Sequence, residues 1–66
     1  MSKIFSERLK SLRKELGLSQ QALAAQMGVK RYNISDWEQG RTEPDLDMTA
    51  RIARFFDVSA DELLGI

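Results

Sequence analysis

The sequence predicts an all-α protein of five short helices. Three observations carry this expectation. Apolar residues recur three and four apart, and nowhere alternate with polar ones as a half-buried strand requires. Each periodic stretch is opened by a side chain that can accept a hydrogen bond, or closed by a residue that tolerates a left-handed backbone. No linker, repeat or low-complexity segment divides the 66 residues, so one domain spanning 1–66 is expected.

In the first helix Phe5, Leu9, Leu12 and Leu16 draw one apolar stripe, and Gly17 supplies its stop. Ser19 is the N-cap of a second helix that buries Leu23 and Met27 and ends at Gly28. The third helix begins at about Lys30 or Arg31 and runs to Gln39, with Val29, Ile34 and Trp37 facing inward and Gly40 at its end. After the loop 41–44, Asp45 caps a fourth helix whose inner face is Leu46, Ile52, Ala53 and Phe56. Asp57 takes the next stop, where glycine would sit more easily. Ser59 and Glu62 form a capping box for a short fifth helix, and Leu63 and Leu64 close the core.

The stretch from about 19 to 39 holds the pattern with the greatest consequence. Ala24 is a small residue at a helix crossing, Gly28 follows four residues on, Ile34 six further and Trp37 three beyond that. Such spacing locks two short helices at a steep angle as a helix-turn-helix, whose second helix can enter the major groove of DNA.

Composition narrows the functional classes. There is no Cys and no His, which removes disulfides, thiolate metal sites and the commonest general base. No metal or cofactor is implied. A chain of this size buries only about 60% of its unfolded surface, leaving little room for a core and a deep pocket together. No apolar run approaches the ~20 residues of a membrane span. Met1-Ser2-Lys3 is too short and polar to head a signal peptide, so a cytoplasmic protein is expected, nucleoid-associated when on DNA. Net charge is zero, but its distribution is not even: through Arg41 there are eight bases and four acids, and from Thr42 onward two bases and six acids. The helix-turn-helix lies in the positive half, a footprint for an anionic partner.

Taken together, Glu7-Arg8-Leu9, Leu12-Arg13, Gly17-Leu18-Ser19-Gln20, Leu23-Ala24, Gly28-Val29, Ile34-Ser35, Trp37-Glu38, Gly40, Glu43-Pro44, Ile52-Ala53 and Phe55-Phe56-Asp57-Val58-Ser59, then Asp61-Glu62-Leu63-Leu64-Gly65, resemble the Cro and phage-repressor type helix-turn-helix family, also called the xenobiotic-response-element family. The resemblance runs from about Ile4 to Gly65. It implies a compact five-helix bundle that binds operator DNA as a symmetric dimer.

On that resemblance Arg31, Tyr32, Asn33 and Asp36 are the candidate base-reading residues. Arg31 can donate two bonds to guanine O6 and N7, and Asp36 can accept from cytosine N4. Gln20, Lys30, Gln39, Arg41 and Thr42, with the Gly40 backbone, are the candidate phosphate contacts. Arg13 and Glu38 match a partly buried ion pair between the first and third helices, and Trp37 is expected in the core rather than stacked on bases. Phe55, Ala60, Leu64 and Ile66 are the candidate dimer contacts, in an interface too small to be strong without DNA.

Three departures from the family pattern stand out. Lys30 replaces the usual Ser or Thr N-cap and cannot accept a hydrogen bond. Asp36 replaces a commonly basic or amide residue; it is expected to exclude phosphate or to pair with Arg31 or Tyr32. Thr49 and Ala60 stand where larger apolar residues are usual, predicting looser packing there.

The expected function is therefore a sequence-specific DNA-binding transcriptional regulator, a repressor on a palindromic double-stranded operator, with no small-molecule ligand implied. A second reading is a protein-interaction module on the same fold, an antitoxin-like or adaptor subunit, suggested by Asp36 and the zero net charge. An enzyme is not expected: there is no His, no Cys and no glycine-rich phosphate loop, and Asp61-Glu62 reads as helix-cap chemistry.

Overall fold

The computed structural model describes residues 3–66, so the part of the signal-peptide argument that rests on Met1 and Ser2 lies outside the described residues. Five α-helices and no strand form among them: α1 (Lys3–Glu15), α2 (Gln20–Met27), α3 (Arg31–Gln39), α4 (Leu46–Phe56) and α5 (Ala60–Leu64). Helix α2 packs across α3, α1 lies against α3 and α5, and α4 closes the bundle against α2 and α5. The core is Phe5, Leu9, Leu23, Ala24, Met27, Ile34, Trp37, Ile52, Ala53 and Leu63, so every helix contributes to one cluster.

The helix ends follow the sequence chemistry. Ser19 Oγ accepts from the Ala22 N–H, Asp45 Oδ1 from the Met48 N–H and Ser59 Oγ from the Glu62 N–H, at 3.0, 2.8 and 2.9 Å. Gly28 turns the chain between α2 and α3 at φ +71°, a left-handed backbone that glycine adopts without a Cβ penalty. Asp57 does the same work for α4 at φ +56°, the one non-glycine residue with positive φ among those described. Arg51 adds a cap absent from the sequence reading: its guanidinium donates to the Met27 carbonyl at 3.0 Å, satisfying an end of α2 from α4.

Two stripe residues lie outside the core. Leu16 is 57% exposed. The chain reverses at Gly17, and the Leu18 N–H returns to the Arg13 carbonyl at 3.1 Å. This closure turns Leu18, not Leu16, onto the core. Leu46 is 84% exposed, because it occupies the first turn of α4, beyond the reach of the other helices. Thr49 joins Ile52 and Ala53 on the buried face instead. Its hydroxyl donates to the Asp45 carbonyl at 2.9 Å, so the hydroxyl is satisfied where an apolar side chain is usual. Ala60 is exposed, so its small size leaves no hole.

The polar link across the bundle is Arg13 with Glu38. Arg13 Nε donates to Glu38 Oε2 at 2.6 Å and Nη2 to Oε1 at 3.0 Å, while Nη1 donates to the Leu18 carbonyl at 2.8 Å. The side chains are 10% and 3% exposed. Hydrogen bonding to Glu38 raises the Arg13 pKa above its ordinary value, against the lowering effect of burial and with help from the carboxylate charge. Removing one partner strands the other charge, at a cost of about 3 kcal/mol or more. Glu38→Ala is therefore expected to lower Tm by more than about 10 °C in a domain this small. A thermal melt followed by circular dichroism checks this; a change of only a degree or two would show that the pair contributes little.

Candidate nucleic-acid interface

Helix α3 presents its first turn outward. Ile34 and Trp37 anchor one side in the core, which leaves Arg31 and Tyr32 on the other. Tyr32 is 56% exposed, and the Lys30 ammonium lies 5.9 Å from its ring centroid. The Lys30 side chain makes no capping bond, as expected of a pure donor. Instead Asn33 reaches back, and its Oδ1 accepts from the Lys30 N–H at 3.1 Å. Half of the Asn33 amide is thus committed to the helix start, a role the base-reading expectation did not include.

Behind Arg31 stands a continuous hydrogen-bonded relay. Arg31 Nη1 donates to Gln20 Oε1 at 3.2 Å, and Gln20 Nε2 donates to Glu38 Oε1 at 3.2 Å. The Gln20 amide has only one orientation that makes both bonds, with oxygen toward the guanidinium and nitrogen toward the carboxylate. Glu38 is itself fixed by Arg13. The relay therefore runs from the Leu18 carbonyl through Arg13, Glu38 and Gln20 to the exposed tip of Arg31. Sequence reasoning placed each of these residues but missed the link through Gln20, whose partners are 11 and 18 residues away.

The other candidates flank this centre. Arg41 Nη1 lies 3.5 Å from Asp36 Oδ1, so Asp36 pairs with Arg41 and not with Arg31 or Tyr32. Gly40 folds Arg41 back over α3: the Gly40 N–H bonds the Asp36 and Trp37 carbonyls, and the Arg41 N–H bonds the Asp36 carbonyl at 2.9 Å. These amides are committed to closing the helix. Gln39 Nε2 donates to Ser35 Oγ at 2.9 Å along the outer edge of α3, and Thr42 is exposed. The candidate dimer residues divide: Ala60 and Ile66 are exposed, while Phe55 and Leu64 are half-buried against the core. Among the described residues no cluster of His, Cys, Asp or Glu is gathered to hold a metal, and no helix is long and apolar enough to cross a membrane.

A family model described as helix-turn-helix matches residues 9–63. The chain belongs to the helix-turn-helix family. It is 43% identical over 61 residues to the HTH-type transcriptional activator BcrR of Enterococcus faecalis, covering 92% of this chain and 30% of that protein. It is 39% identical over 61 residues to the prophage-derived regulator YonR of Bacillus subtilis, covering 92% of this chain and 56% of that one. The chain thus spans about half the length, or less, of these relatives. Its fold superposes on the P22 c2 repressor solved in complex with a synthetic operator, with a TM-score of 0.84, 34% identity and 89% of each chain covered.

The relay makes Gln20 and Arg31 energetically dependent on each other. In a double-mutant cycle on DNA binding, Gln20→Ala and Arg31→Ala are expected to be non-additive by at least about 0.5 kcal/mol, the range for residues in one network. Additive losses, read by fluorescence anisotropy, would mean the two act separately.

Proposed function

We propose that this helix-turn-helix domain binds operator DNA sequence-specifically as a transcriptional regulator, with α3 in the major groove. The observation that carries this reading is the exposed first turn of α3, where Arg31 is held outward by the Gln20–Glu38–Arg13 relay. A guanidinium biased toward one direction loses less rotational freedom on making the bidentate contact to guanine O6 and N7. The likeness to a repressor solved on its operator supports the same placement.

In this reading Arg31 and Tyr32 contact base edges, Tyr32 offering its ring to a thymine methyl. Asn33 uses its amide nitrogen from its capping position, and Asp36 stands at the edge of the base-facing side. Gln20, Lys30, Gln39, Arg41 and Thr42 contact the backbone around them. The polypeptide then acts as a homodimer whose two α3 helices lie about 34 Å apart, one turn of B-DNA. Exposed apolar residues favour a contact where the two ends of the chain meet: Ile66 is 85% exposed and Ile4 44%, and a Cβ on Gly65 would collide with Ile4. Ala60, Leu64 and Phe55 extend that surface. A dimer occupying an operator blocks polymerase, so repression is the simplest outcome; the activator among the relatives is a helix-turn-helix protein of the opposite sign.

Anisotropy titrations of genomic fragments against random duplex, at two salt concentrations, test the proposal. A cognate fragment is expected to bind more tightly than random DNA, and to weaken with salt as counterions are released. Arg31→Ala is expected to weaken the cognate complex by about 1–3 kcal/mol while changing the random complex little. Equal losses on both DNAs would remove Arg31 from base reading, and no preference for any fragment would overturn the proposal.

A further inference from the structure

On the DNA-facing side described above, Asp36 is a carboxylate on the same helix as Arg31 and beside Arg41, with Glu43 and Asp45 lining the same hollow, and it is only 28% exposed at its side chain. Its oxygen lies 3.5 Å from Arg41, whose own side chain is 66% exposed. The pairing is not an accident of two adjacent long side chains. Gly40, at φ +75°, and the Arg41 N–H bond to the Asp36 carbonyl bring the backbone of Arg41 back over the last turn of α3. The guanidinium is thereby delivered to the carboxylate five residues earlier in the sequence. A single pair at 3.5 Å with one partner so exposed adds little to folding stability. A structural role therefore accounts poorly for an acid at this place.

We propose that Asp36 acts as an intramolecular substitute for a DNA phosphate, an autoinhibitory contact that lowers the affinity for the DNA backbone. In the free protein it occupies the Arg41 guanidinium, and a phosphate must displace it before Arg41 can join the interface. The inference rests on the DNA-binding reading and adds what holds the backbone affinity down. Backbone contacts are the same for every sequence, so they supply affinity without discrimination. An internal competitor for one such contact penalises all DNA alike. Only a site that also satisfies Arg31 and Tyr32 keeps enough binding to remain occupied. The ratio of cognate to random affinity is unchanged, but the absolute affinity for random duplex, which has least binding to lose, falls.

The test is a charge-removing, nearly isosteric substitution, Asp36→Asn, alone and combined with Arg41→Gln. Binding to random duplex is measured across a salt series, with a thermal melt to establish that each variant is folded. Asp36→Asn is expected to bind random duplex roughly twofold to fivefold more tightly, the range of an exposed ion pair. The slope of log affinity against log salt should steepen by up to about 0.9, one further phosphate neutralised. In the Arg41→Gln background the same substitution should have no effect. Three results would overturn the inference. Random-duplex affinity could stay unchanged in Asp36→Asn. The gain could persist in the Arg41→Gln background, which would assign it to direct repulsion of phosphate. Asp36→Asn could instead weaken only a cytosine-containing cognate site, which would make Asp36 a base acceptor. Failure of the wild-type chain to bind any DNA is separate, and would remove the DNA-binding reading itself.

Discussion

The Arg13 guanidinium and the Glu38 carboxylate are both withdrawn from solvent, and neither charge is tolerable there without the other. This single pair sets the geometry around it. It joins the last part of α1 to the last part of α3, and the third Arg13 bond fixes the Leu18 carbonyl in the turn that precedes α2. Three elements of the bundle are thus tied by one side chain. The remaining acceptor capacity of Glu38 goes to Gln20, and the oxygen of Gln20 goes to Arg31. What is buried behind α3 consequently decides where the exposed residue in front of it points. A core of this size, stabilised on the order of 0.05–0.15 kcal/mol per residue, has little to spare for a misaligned charge. Among the residues described, no buried side-chain nitrogen or oxygen is left without a partner.

The outer face follows a second constraint, the handling of its cations before any ligand arrives. Arg31 donates to Gln20, Arg41 meets Asp36, and Lys30 leans over Tyr32. Each contact is individually weak and exposed, so each is exchangeable for a phosphate or a base edge at little cost. Zero net charge with a positive helix-turn-helix half fits the same picture. In the proposed function the excess of bases through Arg41 draws a polyanion to this half of the molecule.

Much of this was legible in the sequence because it is local. The caps at Ser19, Asp45 and Ser59, the turn at Gly28, and the inward side of Ile34 and Trp37 depend on neighbours within a few residues. The apolar stripes match the core in their middles and overrun it at their ends. Leu16 and Leu46 have the right phase, but a stripe carries no information about where the covering helices stop. The placement of Leu18 depended on the chain reversal at Gly17, which spacing alone does not encode. That Lys30 is a poor cap follows from its residue type, whereas the answering bond from Asn33 depends on a rotamer that the sequence does not encode. Gln20 looked like a backbone contact only, since its partners are remote in sequence and meet through the crossing of α2 and α3. The Arg13–Glu38 pair was legible through family resemblance, not through periodicity. Asp36 is unusual by its residue type, but its partner depends on the turn at Gly40 that brings Arg41 back.

The proposed function stands on Arg31 of α3 reading sequence. Selection of bound duplexes from a random pool tests that most directly, since it assumes neither a site nor its symmetry. The predicted result is a converging consensus of two inverted half-sites about 34 Å apart, each with an invariant guanine. A pool that remains as diverse after repeated rounds as at the start would contradict it.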